Sequence, residues 1–238
     1  MSIALILAAG KGTRMRSNLP KPVVPFNNKP IVAHIVDAFK EAGVENIFLV
    51  TGYGADVVQS TIGSSVQYIN QEEQKGTGHA VMQAREKIDW QHNNVFVFVG
   101  DSPLIKPETI KKLEQHHIDS NASCTFLTSL FPIKLPYARV IKNDKGELIG
   151  CVEEKNATQE QLEIKELLTS HFIFKGVDLF NSLDKINPDN DNGEFYLTDI
   201  IEIMLLENKK VETVCISDYA ELTGLNTPED IQWAEQFI

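Results

Sequence analysis

Disulfide chemistry has little to work with in this chain. Three cysteines, Cys124, Cys151 and Cys215, stand far apart in 238 residues. They form no C-x-x-C pair and no even set, which argues against a disulfide frame or a zinc site and for buried thiols in a reducing compartment. No apolar run is long enough to span a bilayer. The opening residues, Met1 to Gly10, are apolar but short, lack a basic leader and run straight into a glycine loop. They predict a first strand rather than a signal or an anchor, so no membrane partner is expected and a cytoplasmic location is. Positive charge is also scarce: 22 Lys and Arg face 33 Asp and Glu, a formal charge of -11. A field of that sign repels nucleic acid, which is therefore not an expected partner. A phosphorylated ligand would need a local basic site or a divalent cation. Internal repeats, low-complexity segments and long linkers are missing as well, so one continuous domain over residues 1–238 is expected.

What the chain does have is an alternation of strand-length apolar runs with amphipathic helical segments. Extended segments are predicted at Ile3 to Ala9, Ile47 to Thr51, Val66 to Ile69 and Val95 to Val99. Helices are predicted at Pro30 to Ala42, Asp56 to Ile62, Thr77 to Ile88 and from Pro107 towards His117. This rhythm means a Rossmann-like α/β fold, a mainly parallel sheet with helices on both faces. The second half adds strands at Cys124 to Phe131, Ala138 to Asn143, Leu148 to Glu154, Ser170 to Phe174 and Val211 to Ile216, so the whole sheet is mixed. Asn143-Asp144-Lys145-Gly146 is a hairpin signal. Tyr196 to Glu207 and Pro228 to Phe237 complete the set as helices.

Parallel sheets bind ligands beyond the carboxyl ends of their strands. Gly10 to Arg16 and Gly100 to Leu104 both lie at such ends, which places them in one crevice. The first belongs to Leu7-Ala8-Ala9-Gly10-Lys11-Gly12-Thr13-Arg14, continued to Pro20-Lys21-Pro22. Its glycines let backbone N–H groups approach phosphate oxygens, and Arg14 and Lys21 bring cations where the overall field is wrong for a polyphosphate. The Walker A pattern is absent, and Met15 stands where the dinucleotide fingerprint needs its third glycine.

This opening segment resembles the signature of the sugar-1-phosphate nucleotidyltransferases, above all the uridylyltransferase domain of the bifunctional N-acetylglucosamine-1-phosphate uridylyltransferases. The resemblance implies the nucleotide-diphospho-sugar transferase fold and an enzyme that joins a nucleoside triphosphate to a sugar-1-phosphate. It makes Arg14 and Lys21 the catalytic cations. Leu7, Ala8, Ala9, Gly10, Gly12 and Thr13 then wrap the nucleotide. The segment Gln71 to Ala80 resembles the family's base-reading stretch, in which Gln71 meets the base edge and Gly76 and Thr77 back it. His79 by itself is expected to pack or cap. Asp101, in Val99-Gly100-Asp101-Ser102-Pro103-Leu104, matches the family's metal-binding aspartate, and Asn226 its second ligand, with Mg²⁺ the implied cofactor. Helix capping by Asn226 or Thr227 competes with that second assignment.

On the sugar side the resemblance points to Glu153 and Lys155, and to Tyr196 and Thr198 within Asn192 to Asp199. Two positions depart from the family. Ala138 replaces a glycine before Arg139, and Leu168 replaces the asparagine that meets an acetamido group. An apolar side chain cannot make that amide's hydrogen bonds, so the sugar is expected to lack an N-acetyl group or to present something else there. The relatives also carry a β-helix acetyltransferase domain; these 238 residues hold none, and acetyl transfer is not expected of them. The resemblance divides the chain into a nucleotide-binding lobe, residues 1–122, and a sugar-binding lobe with a closing helix, residues 123–238. UTP and an N-acetylglucosamine-1-phosphate-like hexose-1-phosphate are the favoured substrates. Guanylyl or cytidylyl transfer to glucosamine-1-phosphate or another sugar phosphate is one alternative, and a non-catalytic nucleotide-sugar sensor is another. A homo-oligomer is compatible with all of these.

Overall fold

The computed structural model describes residues 2–188 and 193–238. The first half runs β1 (Ser2–Ala8), β2 (Pro25–Phe26), β3 (Lys29–Pro30), α1 (Ile31–Glu41), β4 (Ile47–Thr51) and α2 (Ala55–Ile62). It continues with β5 (Gln67–Asn70), α3 (Thr77–Met82), β6 (Asn94–Val99) and α4 (Pro107–Ser120). The second half has β7 (Cys124–Leu130), β8 (Ala138–Lys142), β9 (Leu148–Val152), β10 (Glu166–Lys175) and α5 (Gly176–Leu183). It closes with α6 (Asp199–Leu206), β11 (Val211–Ile216) and α7 (Pro228–Ala234).

Among the described residues one sheet runs in the order β11-β7-β10-β6-β1-β4-β5, with β8 and β9 attached at β10. Strands β5, β4, β1 and β6 are mutually parallel, as are β7 and β11. Strand β10 enters antiparallel between β6 and β7. Strands from both halves of the chain thus share one sheet.

The central strands are buried on both faces, which is why they read as unbroken apolar runs. In β1, Ile3 and Leu5 join the core beneath α3, α5 and α6, while Ala4 and Ile6 join the core beneath α1, α2 and α4. Strand β6 alternates in the same way, Val95 and Val97 to one side and Phe96 and Phe98 to the other. Phe39 of α1 meets both of these phenylalanines edge-on, at 5.3 and 4.9 Å. Truncating such a ring to Ala costs about 3–5 kcal/mol. A smaller cluster ties the glycine loop to the end of the chain: Met15 is buried with Phe26, Ile31, Leu225 and Ala234. The residue that breaks the dinucleotide fingerprint is therefore the loop's anchor.

Several boundaries differ from the sequence pattern, for local reasons. Helix α3 stops at Met82 rather than Ile88. Ala84 and Ile88 keep helical spacing into the core, but the Arg85 carbonyl accepts from the Trp90 indole at 2.9 Å. Helix α6 starts at Asp199, not Tyr196, because the preceding residues are paired elsewhere. Gly78 N donates to Phe195 O at 2.8 Å, and Leu197 N donates to Thr77 Oγ1 at 3.0 Å. Strand β10 is longer than predicted and shifts register between Leu168 and Phe172, where Ser170 takes a left-handed φ of 62°. Helix α5 carried no sequence expectation, and the closing helix ends at Ala234 before a tighter turn to Phe237. Of the three thiols, Cys124 is buried, Cys151 is half-buried and Cys215 is exposed, so the expectation of three buried thiols fails at Cys215. On β11 that residue faces outward between the inward Val214 and Ile216. Among the described residues no helix is long and apolar enough to cross a membrane.

Candidate active site

A cavity of about 450 Å³ opens beyond the carboxyl ends of β1, β5 and β6. The end of β1 supplies Leu7, Ala8, Ala9 and Gly10, and the loop after it supplies Gly12, Thr13 and Arg14. Gly12 has a φ of 60°, and a Cβ there would stand 2.5 Å from Lys21 Cβ. Glycine is thus needed both for the turn and for the close approach of Lys21. Lys21 opens a short 3-10 turn between Pro20 and Pro22, which fix the backbone that presents it.

Asp101 follows β6, whose end is held to β1 by Gly100 N donating to Leu7 O at 2.8 Å. Leu225 N donates to Asp101 O at 2.8 Å and delivers Asn226 to the same spot. Capping and side-chain presentation fall to different residues here. Thr227 caps α7 in a reciprocal box with Asp230, while Asn226 N donates to Asp230 Oδ2 at 2.7 Å and its own amide points away. Asn226 Nδ2 donates to Gly224 O at 3.0 Å, which turns Oδ1 towards the cations.

Four side chains therefore converge. Lys21 Nζ donates to Asp101 Oδ2 at 2.5 Å and to Asn226 Oδ1 at 2.7 Å, and Arg14 Nη2 donates to the same Oδ1 at 3.0 Å. The Lys21 side chain is 13% exposed and that of Asp101 23%, so the pair is shielded from water. A second cavity, of about 340 Å³, shares Arg14, Asp101 and Asn226 as its wall and continues past Tyr137 and Ser170. Burial pushes the Tyr137 phenol up to about 12, and its oxygen accepts from Gly224 N at 3.0 Å.

On the opposite side Gln71 is buried at the end of β5, Gly76 precedes α3 and Thr77 begins it; all three line the first cavity. Lys75 O accepts from Phe195 N at 2.9 Å, which draws the segment carrying Tyr196 over the same opening.

Of the sugar-side residues, only Tyr196 lines this cavity. Glu153 and Thr198 are joined by a 2.8 Å hydrogen bond, Thr198 Oγ1 donating. Lys155 Nζ lies 4.9 Å from the centroid of the Tyr196 ring, a cation–π approach. Burial, followed by the charge of Glu153, raises the Asp199 carboxyl next to Thr198. Ala138 and Leu168 are register partners of β8 and β10, buried in the core beneath α3, α5 and α6, and neither lines the cavity. Asn192, the first residue of the predicted sugar-side segment, lies outside the described residues. Gln74 and Glu194 line the cavity without having been singled out. Gln74 follows Gln71 by three residues in the loop before α3, and nothing in its type separates it from a solvated loop residue.

Asp101 Oδ2 and Asn226 Oδ1 suit a hard cation. Both are oxygens, and they converge tightly enough to meet a single ammonium. Among the described residues no group of three or more His, Cys, Asp and Glu could hold a metal ion. The two side chains offer a cation one carboxylate and one amide oxygen.

Comparisons with known proteins bear on the fold and the family. The fold matches a crystal structure of UDP-glucose pyrophosphorylase complexed with UDP-glucose, with a TM-score of 0.77 over 100% of this chain and 98% of that one, at 19% identity. The bifunctional protein GlmU of Enterococcus faecalis is 42% identical over 94% of this chain and 49% of its own length. That of Clostridioides difficile is 39% identical over 99% and 51%. The chain spans about half the length of these curated relatives. Residues 4–156, which contain the glycine loop, Lys21, Gln71 and Asp101, match the MobA-like NTP transferase domain, and the chain belongs to that family.

Proposed function

We propose that the chain is a sugar-1-phosphate nucleotidyltransferase. A phosphate oxygen of the sugar-1-phosphate attacks the α-phosphorus of a nucleoside triphosphate, in line with the bond to the β-phosphate. A new P–O bond forms, the α–β bridge breaks, and pyrophosphate leaves with the bridging oxygen. The observation that carries this reading is the convergence of Lys21, Arg14, Asp101 and Asn226 on one cavity beside the glycine loop. Transfers of this kind need positioning and charge neutralisation more than covalent catalysis. Lys21 offsets the charge that builds on the α-phosphate, and Arg14 holds the leaving pyrophosphate. Asp101 and Asn226 would hold Mg²⁺, which neutralises phosphate charge when bound.

Gln71, Gly76 and Thr77 read the base, with UTP the favoured triphosphate. Glu153, Lys155, Tyr196 and Thr198 serve the sugar, so residues 1–122 act as the nucleotide lobe and residues 123–238 as the sugar lobe. Leu168, paired with Ala138, offers no amide to an acetamido group. Leu168 is buried and lines neither cavity, so both an N-acetylated hexose-1-phosphate and one without that group remain candidate substrates.

The test is pyrophosphate release from a panel of triphosphates and hexose-1-phosphates with Mg²⁺. Release with UTP and one sugar phosphate is expected. Tight binding of a nucleotide sugar without turnover on any pair would favour a sensor. Turnover with GTP or CTP alone would move the base assignment.

A further inference from the structure

His79 does not line the cavity, yet it is bonded to a residue that does. Gln71 Nε2 donates to Gly76 O at 3.2 Å and lies 3.0 Å from His79 Nδ1. Gln71 is 3% exposed, so water cannot stand in for either partner. An amide nitrogen has two hydrogens, and here both are engaged. Were the amide turned over, its oxygen would face the Gly76 carbonyl oxygen across the same gap.

The far side of the imidazole raises a conflict. Gln83 Nε2 lies 3.2 Å from His79 Nε2 and also donates to His79 O at 3.2 Å. A neutral imidazole accepts at one nitrogen and donates at the other. One of the two amides must therefore present its oxygen to the ring. Turning either amide sets its oxygen against a carbonyl, Gly76 O for Gln71 and His79 O for Gln83; half-buried Gln83 has room to shift off that carbonyl and satisfy its nitrogen in solvent, whereas buried Gln71 does not, so Gln83 is the one that turns. This leaves Nδ1 of His79 as the acceptor and Nε2 as the protonated nitrogen.

We propose that His79 is a positioning residue for base selection: it holds the amide nitrogen of Gln71 inward, so that Gln71 meets the base with its oxygen. The proposal rests on the nucleotide reading of the first cavity. An acceptor at that point matches a pyrimidine whose N3 carries a hydrogen, as in uracil. It opposes cytosine, whose N3 is itself an acceptor. A site that offers the wrong member of a hydrogen-bonding pair discriminates strongly.

The experiment measures kcat/KM for UTP and CTP, together with calorimetric binding of UDP and CDP, in the wild type, His79→Phe and His79→Asn. Phenylalanine keeps a flat ring and removes the acceptor; asparagine places an oxygen near the position of Nδ1. His79→Phe is expected to shrink the preference for uracil by roughly tenfold, the worth of one modest hydrogen bond, mainly through KM. His79→Asn is expected to restore it. Equal losses with both bases, an unchanged UDP to CDP ratio, would make His79 a packing residue and overturn the proposal. A wild-type chain that binds neither nucleotide would instead overturn the nucleotide reading itself. Imidazole ¹⁵N shifts of the wild type give a check that no variant's folding can disturb: Nδ1 is expected to be the unprotonated nitrogen, and a proton on Nδ1 would defeat the assignment.

Discussion

Lys21 Nζ lies 2.5 Å from Asp101 Oδ2, although 80 residues separate the two in the chain. In the proposed mechanism they serve opposite charges, one the phosphates and the other the cation. Replacing Lys21 with Ala is expected to lower kcat by roughly a hundredfold or more with the fold kept, since charge stabilisation at the reacting centre is lost. Steady-state pyrophosphate release and circular dichroism check this, and a rate near wild type would remove Lys21 from the mechanism.

The same pairing bears on metal binding. Lys21 engages the same oxygens of Asp101 and Asn226 that would hold a divalent cation. Lys21→Met should therefore tighten Mn²⁺ binding to the nucleotide-free chain by roughly tenfold, because like charges no longer compete for one pair of oxygens. Electron paramagnetic resonance titration reads the affinity. Unchanged or weaker binding would mean that the cation sits elsewhere.

Gly224 borders the same carboxylate. A Cβ at this position would stand 2.9 Å from Asp101 Oδ1, closer than van der Waals contact allows. Gly224→Ala is expected to push the carboxylate aside and to cost roughly tenfold to a hundredfold in turnover, with the thermal midpoint little changed. Full activity in this variant would show that the position of Asp101 has slack.

Leu168 is 2% exposed and packs in the core opposite Ala138. Leu168→Asn buries an amide there and is expected to destabilise the fold by about 1–3 kcal/mol. It should also shift sugar preference towards N-acetylated hexose-1-phosphates. Denaturant unfolding reads the first effect and competition between paired sugar phosphates the second. No change in preference would detach Leu168 from sugar selection.

His117, on the face of α4 that meets β7, and His171, in β10, are both buried, and burial lowers each from 6.5 to about 4. His117 Nδ1 lies 2.9 Å from Thr125 Oγ1, and His171 Nδ1 lies 3.0 Å from Thr169 Oγ1. The unfolded chain takes up protons near 6.5, so between pH 6.5 and about 4 it holds more of them than the folded chain. Stability contributed by keeping these rings neutral is complete above that window and falls as pH drops through it. The thermal midpoint is expected to decline from pH 6.5 downwards, and His117→Gln should flatten the slope. A midpoint that stays level to pH 5 would contradict this.

Much of the architecture was legible in the residues alone, because local pattern and burial coincide in the central strands. Val95 to Val99 is apolar throughout since both faces of β6 are covered, and its neighbours read the same way. The glycine loop was legible for a related reason: a turn with a left-handed Gly12 that must make room for Lys21 tolerates few residue types, so its composition reveals its shape. Three matters were not legible, because each depends on contacts that exist only once the elements have packed together. Insertion of β10 antiparallel between β6 and β7 is decided by sheet packing rather than by any property of Glu166–Lys175. Whether Asn226 caps a helix or faces Lys21 is decided by Thr227 taking the cap and by Leu225 bonding to Asp101. His79 could not be told from a packing histidine by its type, since its relation to Gln71 exists only once α3 folds back on β5. Sequence by itself determined where the main strands of the sheet run, where the glycine turn lies and which charges stand beside it. Tertiary structure alone decided which of those charges meet, because side chains up to 212 residues apart come within hydrogen-bonding distance only through the packing of the sheet and its closing helix.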